Sequence, residues 1–254
     1  MTFFYDTQSL LTRYLTKLVR NPTLLATNLG TPLLFLILFS QLLGKLGEFL
    51  GGNVNYLAYL TPGVVVLNAM TGATLGGVAI ANDLNSGFLS KMLLTQVSRS
   101  AILLGRLLTD VTVVVAQSII TIVVAVAMGV RIYYGFPGIL LILVTVSFFE
   151  LALSGIFLFV GMRSRKTETI SAIGSAVFFP IIFISSAMFP VSFFPAWAQT
   201  ISKYNPVSYA ANVTRELVQG GLTGSTVVSA YLVIGFIAIV SFAATLYQFR
   251  KVIS

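Results

Sequence analysis

Long apolar runs broken by short polar stretches set the plan of this chain. Six of them, 24–43, 57–81, 102–130, 138–161, 170–189 and 227–247, approach or exceed the roughly 20 residues a helix needs to cross a hydrocarbon core. Little chain remains outside them. The pattern predicts an all-α integral membrane protein of six transmembrane helices, one membrane domain over residues 1–254 with no soluble domain.

Three stretches outside or between these runs follow patterns of their own. Over 9–20, Leu10, Leu11, Tyr14, Leu15 and Leu18 fall on one helical face and Arg13, Lys17 and Arg20 on another. This predicts an N-terminal amphipathic interfacial helix, serving as an anchor in the inner leaflet or as a contact for a cytoplasmic partner. Asn21-Pro22 ends it, because a residue before proline avoids the helical region. Over 83–99, Asn82, Asp83, Asn85, Ser86 and Gly87 make a turn-rich lead-in with capping residues. Phe88, Leu89, Met92 and Leu93 then recur at helical spacing. A short helix with such a stripe buries it in lipid or in a groove on a partner protein. Over 189–226, Pro190, Pro195 and Pro206 each remove a backbone donor, so no helix runs through. Phe189, Phe193, Phe194, Trp197 and Tyr204 are nevertheless rings suited to the headgroup level. We expect a pair of short re-entrant helices that dip into one leaflet and return, near a pathway, since irregular backbone survives at membrane depth only against protein or a wet cavity.

Composition agrees. Hydrophobic residues are 57% and charged residues 9% of the chain, with mean hydropathy +0.96, against about 25% charged in soluble domains. Basic residues fix the orientation, since they are retained on the cytoplasmic side. With both termini cytoplasmic, eleven of the 15 lie inside, and only Lys45, Arg131, Lys203 and Arg215 do not. The net charge of +8 is then a topology signal and a hold on anionic headgroups. There is no basic soluble face for nucleic acid. The loop helix is cytoplasmic and the proline-broken segment external.

The chain has no cysteine and no histidine, which removes thiol nucleophiles, disulfides and the commonest general base and metal ligand. A membrane enzyme has no catalytic cluster here. Arg13, Lys17 and Arg20 interrupt any signal-peptide core. There is no phosphate-binding G-x-x-x-x-G-K-[ST] loop. Glu150 falls near the middle of the fourth span, where an ionised carboxylate costs about 2.5–3.5 kcal/mol or more. It lines a substrate path, or it packs as a hydrogen-bonded carboxyl with Gln117 or Asn68 as donors. Asp110 follows Arg106 by four residues and is expected to pair with it. The small residues from Thr71 to Gly77 suit close helix packing. Asn212-Val213-Thr214 matches the glycosylation sequon, but lies where the chain meets the membrane surface. No internal repeat is visible between the two halves, which disfavours secondary transporters.

Taken together, the six spans, the interfacial helix, the cytoplasmic helix after span two and the external run Phe189-Pro190, Pro195, Trp197, Asn205-Pro206, Tyr209 and Arg215 resemble the permease subunits of type-2 ABC exporters. The resemblance covers essentially the whole chain and is nearest to the daunorubicin-resistance type of drug and lipid exporter. It implies a non-catalytic permease in the plasma membrane of a prokaryote, exporting an amphipathic drug-like or lipid-like substrate. It implies a homodimer served by two ATPase subunits that bind ATP and magnesium and dock on a coupling helix at Phe88, Leu89, Met92 and Leu93. Phe189, Pro190, Phe193, Phe194, Pro195, Trp197, Asn205 and Pro206 would form an external gate over the path, closed by Phe193, Phe194 and Trp197. The family pattern E…GT…TP.SR in the loop is altered here: Asn82-Asp83 stands near the acid, Gly87-Phe88 replaces Gly-Thr and Thr95-Gln96 replaces Thr-Pro. Two alternatives remain, a polysaccharide or lipid-linked glycan exporter, and a secondary transporter using Glu150 as its proton site. The second leaves the loop helix without a purpose.

Overall fold

The computed structural model describes residues 2–20, 22–44, 55–94 and 99–253. Among these, every regular element is helical: α1 (Thr2–Val19), α2 (Pro22–Leu42), α3 (Tyr56–Asn85), α4 (Phe88–Leu93), α5 (Arg99–Ala127), α6 (Gly135–Ser164), α7 (Thr167–Phe183), α8 (Ala196–Tyr204), α9 (Pro206–Gln219) and α10 (Gly224–Ile253), with a 3-10 turn at Val191–Phe193. Four stretches, Tyr56–Asn85, Ala101–Ala127, Gly135–Ser164 and Gly224–Phe249, are long and apolar enough to cross a membrane. Leu29–Leu42 and Thr167–Phe183 are apolar but shorter.

α3 is the central post. It packs against α2, α5, α6, α7 and α9, and 67% of its most apolar window is buried against 22% in α10. Leu60, Val64, Val66, Ala69 and Ala73 are wholly buried along it. Where α3 crosses α6, Gly77 and Gly161 face each other, and a Cβ on Gly161 would lie 2.5 Å from the Gly77 carbonyl oxygen. Only small residues permit that approach, as the composition of 71–77 predicts. Outward faces remain apolar: Leu232, Phe236 and Ile239 of α10 and Val123 of α5 are all at least 60% exposed, a distribution suited to lipid.

Four expectations change. α1 begins at Thr2, well before residue 9, and Leu10 and Tyr14 are buried in a cluster with Ile102, Leu103 and Leu107, so much of its apolar face is used on α5. α3 continues to Asn85, so Asn82, Asp83 and Asn85 are helical, and the turn is Ser86 and Gly87. Gly87 adopts φ +67°, a left-handed conformation open to glycine at no steric cost, and this redirects the chain into α4. The fifth apolar run leaves the helix at Phe183 rather than 189. The reason is local competition for the backbone: the Ser185 hydroxyl donates to the Ile182 carbonyl at 2.6 Å and accepts from the Ala187 amide at 3.1 Å, while Ser208 Oγ accepts from the Ser186 amide at 3.1 Å. α10 begins at Gly224, so the broken segment ends just before it.

Lys45, Asn21, Thr95 and Gln96 lie outside the described residues, and so do the side chains of Leu18, Leu89, Leu93, Arg99, Arg250 and Lys251.

Candidate functional site

α2, α3 and α7 enclose a half-open cavity of about 320 Å³. Phe35 of α2, Leu67, Thr71 and Thr74 of α3, and Ser171, Ser175, Phe178, Phe179 and Phe183 of α7 line it. Phe179 and Phe183 stack with ring centroids 6.1 Å apart, and Phe183 stacks in turn on Phe189 at 6.4 Å. The Thr71 hydroxyl donates to the Asn68 carbonyl at 2.9 Å and that of Thr74 to the Met70 carbonyl at 3.0 Å. With their hydroxyls turned back on the helix, both threonines offer methyl groups. No charged side chain lines the cavity, and no cluster of metal-ligating residues occurs among the described residues. Its described lining suits apolar or aromatic bulk.

One end of this cavity, at Met188, is built on the broken backbone after α7. Its carbonyls have left the helix and need donors, since an unmet backbone group in an apolar medium costs several kcal/mol. Three side chains supply them. Tyr56 donates to the Met188 carbonyl at 3.1 Å, Tyr59 to that of Ser186 at 2.9 Å, and Arg215 to that of Ser186 at 2.5 Å and, more weakly, Ala187 at 3.5 Å. The Arg215 guanidinium also lies over the Tyr59 ring, 3.8 Å from its centroid.

The three prolines each begin a helical turn. Pro190 precedes the 3-10 turn, Pro195 precedes α8, and Pro206 is the first residue of α9, positions where a missing amide costs nothing. Asn205 is buried: its amide donates to the Ile181 carbonyl at 2.7 Å and its oxygen accepts from the Val207 amide at 3.0 Å. It thereby ties the start of α9 to the end of α7. Of the expected gate residues, Phe189 reaches the cavity through Phe183, Phe194 is half-buried, and Phe193 and Trp197 are 56% and 62% exposed. The sequon is occupied structurally, since Asn212 accepts from Ser186 and Arg215 and Thr214 is fully buried.

Asn68, Gln117 and Glu150 lie elsewhere. They are buried where α3, α5 and α6 meet and do not line the cavity. Glu150 accepts from Ser154 and Asn68 donates to Thr121 at 3.1 Å. The second Glu150 oxygen and the amide oxygens of Asn68 and Gln117 have no hydrogen-bond partner. The donors expected for Glu150, Gln117 and Asn68, are thus replaced by Ser154.

A second polar cluster joins α1, α3, α4 and α5. Tyr14 donates to Asp83 at 2.6 Å, and Arg106 makes a two-pronged pair with Asp110, as the spacing predicts. The Arg106 guanidinium stands 5.1 Å from the Tyr14 ring, while that of Arg13 covers the Phe88 ring at 3.3 Å. Burial, reinforced by the Asp83 carboxylate, pushes the Tyr14 phenol well above its ordinary ionisation range, so it stays a donor. Phe88 is half-buried and Met92 is buried against Leu10, Tyr14 and Ile80, whereas Lys91 and Leu94 are exposed, Leu94 at 89%. Sequence reasoning placed Tyr14 only in an apolar stripe and missed Tyr56 and Tyr59. Their signal was a hydroxyl-bearing ring at the edge of an apolar stripe, placed opposite a buried acid or a broken helix.

The model of the family described as "ABC-2 type transporter" matches residues 5–218. The chain is 30% identical over 189 residues to the daunorubicin resistance ABC transporter permease protein DrrB1 of Streptomyces coeruleorubidus, covering 74% of this chain and 66% of that protein. It is 24% identical over 210 residues to the "Probable doxorubicin resistance ABC transporter permease protein DrrC" of Mycobacterium tuberculosis, covering 82% and 75%. It is 29% identical over 195 residues to nodulation protein J of Rhizobium leguminosarum bv. trifolii, covering 76% and 73%. The family match over most of the chain and the long apolar helices agree: this chain is a membrane protein of the ABC-2 type transporter family.

Proposed function

We propose that this chain is the membrane-spanning permease of an ATP-driven exporter that moves an amphipathic, drug-like or lipid-like substrate out of the cytoplasm. The aromatic cavity between α2, α3 and α7 carries the reading, because it offers apolar bulk with self-satisfied hydroxyls and no charge. In this reading α2 and α7 join the four longer helices as spans one and five, both termini are cytoplasmic, and α8 and α9 are re-entrant in the outer leaflet of a prokaryotic plasma membrane. Two copies meet so that their cavities share one path, with Phe193, Phe194 and Trp197 closing it externally. ATP and magnesium belong to two separate ATPase subunits, since the sequence has no phosphate loop. Their docking surface is α4, and it uses Lys91, Leu94 and the outer edge of Phe88, because Met92 is spent on the chain's own core. Glu150 is a packing residue, set apart from the cavity.

The test is reconstitution of the permease with its ATPase, followed by efflux of a fluorescent amphipath. Export should require ATP. Ser175→Trp, which fills the cavity from α7, should abolish export while the complex still assembles and hydrolyses ATP. Ion-gradient-driven export by the permease alone, or undiminished export by Ser175→Trp, would overturn the reading.

A further inference from the structure

Two further cavities flank α8. One, of about 120 Å³, is lined by Ser186, Ser202, Lys203, Ser208, Tyr209 and Asn212, among others. Its neighbour, of about 390 Å³, is lined by Pro180, Ile181, Ile184, Ile201, Tyr204 and Pro206, with Asn205 between. Consecutive residues of one helix thus divide a polar pocket from an apolar groove.

The polar pocket is positively biased from three directions. Lys203 stands exposed at its rim. Its floor residues Ser186 and Asn212 are both bonded by the Arg215 guanidinium, at 2.5 and 3.0 Å. Arg215 has no carboxylate partner among the described residues, and its Nε is buried without a hydrogen-bond partner. The first turn of α9 supplies the third contribution, since Ser208 sits at the helix's positive end. Ser202 and Ser208, whose hydroxyls lie 3.2 Å apart, add donors. Among the described residues no acidic side chain lines the pocket.

We propose that α8 and α9 form a binding site for an outer-leaflet phospholipid, with its phosphate in the pocket beneath Lys203 and an acyl chain in the groove of Ile201 and Tyr204. The pocket alone would suit any small phosphate, but the adjoining apolar groove fits only a ligand with a tail. The groove lies on a different face of α7 from the cavity between α2, α3 and α7, so the lipid is a resident of the external segment and not the cargo. This inference rests on the proposed external, re-entrant placement of α8.

The single tryptophan, Trp197, lies on α8 one turn before Ile201 and is 62% exposed, so it reports the site directly. The full chain is reconstituted in vesicles containing phosphatidylcholine or phosphatidylglycerol with brominated chains, and Trp197 quenching is followed. Brominated phosphatidylglycerol should quench at an about fivefold lower mole fraction, the preference expected of one lysine facing an anionic headgroup. Lys203→Arg should keep the preference and Lys203→Gln should lose it. Equal quenching by both lipids, or a preference that survives Lys203→Gln, overturns the lipid site while leaving the placement of α8 intact. Relief of quenching by inorganic phosphate overturns it in favour of a free-phosphate site. Absence of quenching by either lipid removes α8 from the leaflet and overturns the placement as well.

Discussion

Asp83 is buried with a 2.6 Å bond from Tyr14, and that bond belongs to the residues that hold α1 on the bundle. Tyr14→Phe removes the donor and keeps the ring, leaving a buried carboxylate short of a partner, which costs about 1–3 kcal/mol. Thermal unfolding of the purified protein should show a lower midpoint with insertion preserved, and an unchanged midpoint would mean that water replaces the phenol. Because the phenol's ionisation in the folded state is raised above its ordinary value of 10.0, its contribution is fully present below that value. It is lost only as pH rises further. The gap between wild type and variant should therefore not vary with Tyr14 titration in the neutral range. At Glu150 the geometry suggests a different substitution. Glu150→Gln keeps an acceptor for Ser154 and turns the partnerless second oxygen into an amide donor. Stability should hold or rise and ATP-driven export should persist. Correct folding with export abolished would place the charge in the transport cycle.

At the scale of elements, the prolines of the broken segment were legible, because each acts through its own backbone: α8 and α9 start where Pro195 and Pro206 stand. Asp83 was not legible. Read locally, Asn82–Gly87 is turn chemistry, but Tyr14, 69 residues away, supplies a donor that lets the acid stay helical and buried. α4 was legible as a helix yet not in its direction, since periodicity finds a stripe without naming what covers it. The structure turns Met92 inward and leaves Lys91 and Leu94 outside, and the two directions separate experimentally. Leu94→Asp should abolish co-purification of the ATPase while the permease inserts and unfolds at its normal temperature. Met92→Asp buries a charge against Leu10 and Tyr14 and should destabilise the permease itself. If Leu94→Asp leaves co-purification intact, α4 does not dock through its outer face.

At the scale of the molecule, the cavity was hidden in the sequence because its walls, Thr71 and Thr74 on one side and Ser171 and Ser175 on the other, are about a hundred residues apart and individually unremarkable in apolar helices. Orientation is proposed from charge alone, and the packing sorts the described residues into two ends compatible with it. Tyr14, Asp83, Phe88 and Arg106 gather at one, and Asn85 donates to the Arg165 carbonyl at 2.7 Å, bringing the α6–α7 turn with its basic residues to the same end. At the other, Tyr133 donates its amide to the Val218 carbonyl at 2.9 Å, placing Arg131's loop beside the segment that carries Lys203 and Arg215. The proposed topology takes the richly basic end as cytoplasmic and α8 as external. Ala196, exposed at the start of α8 in a chain without cysteine, offers a clean probe. Ala196→Cys should react with an impermeant thiol reagent added to intact cells, and its reaction rate should change when nucleotide drives the assembled transporter, because the same helix is proposed to part from its dimer mate. Labelling only in inverted vesicles would reverse the topology, and a rate indifferent to ATP would make α8 a fixed lid over the path.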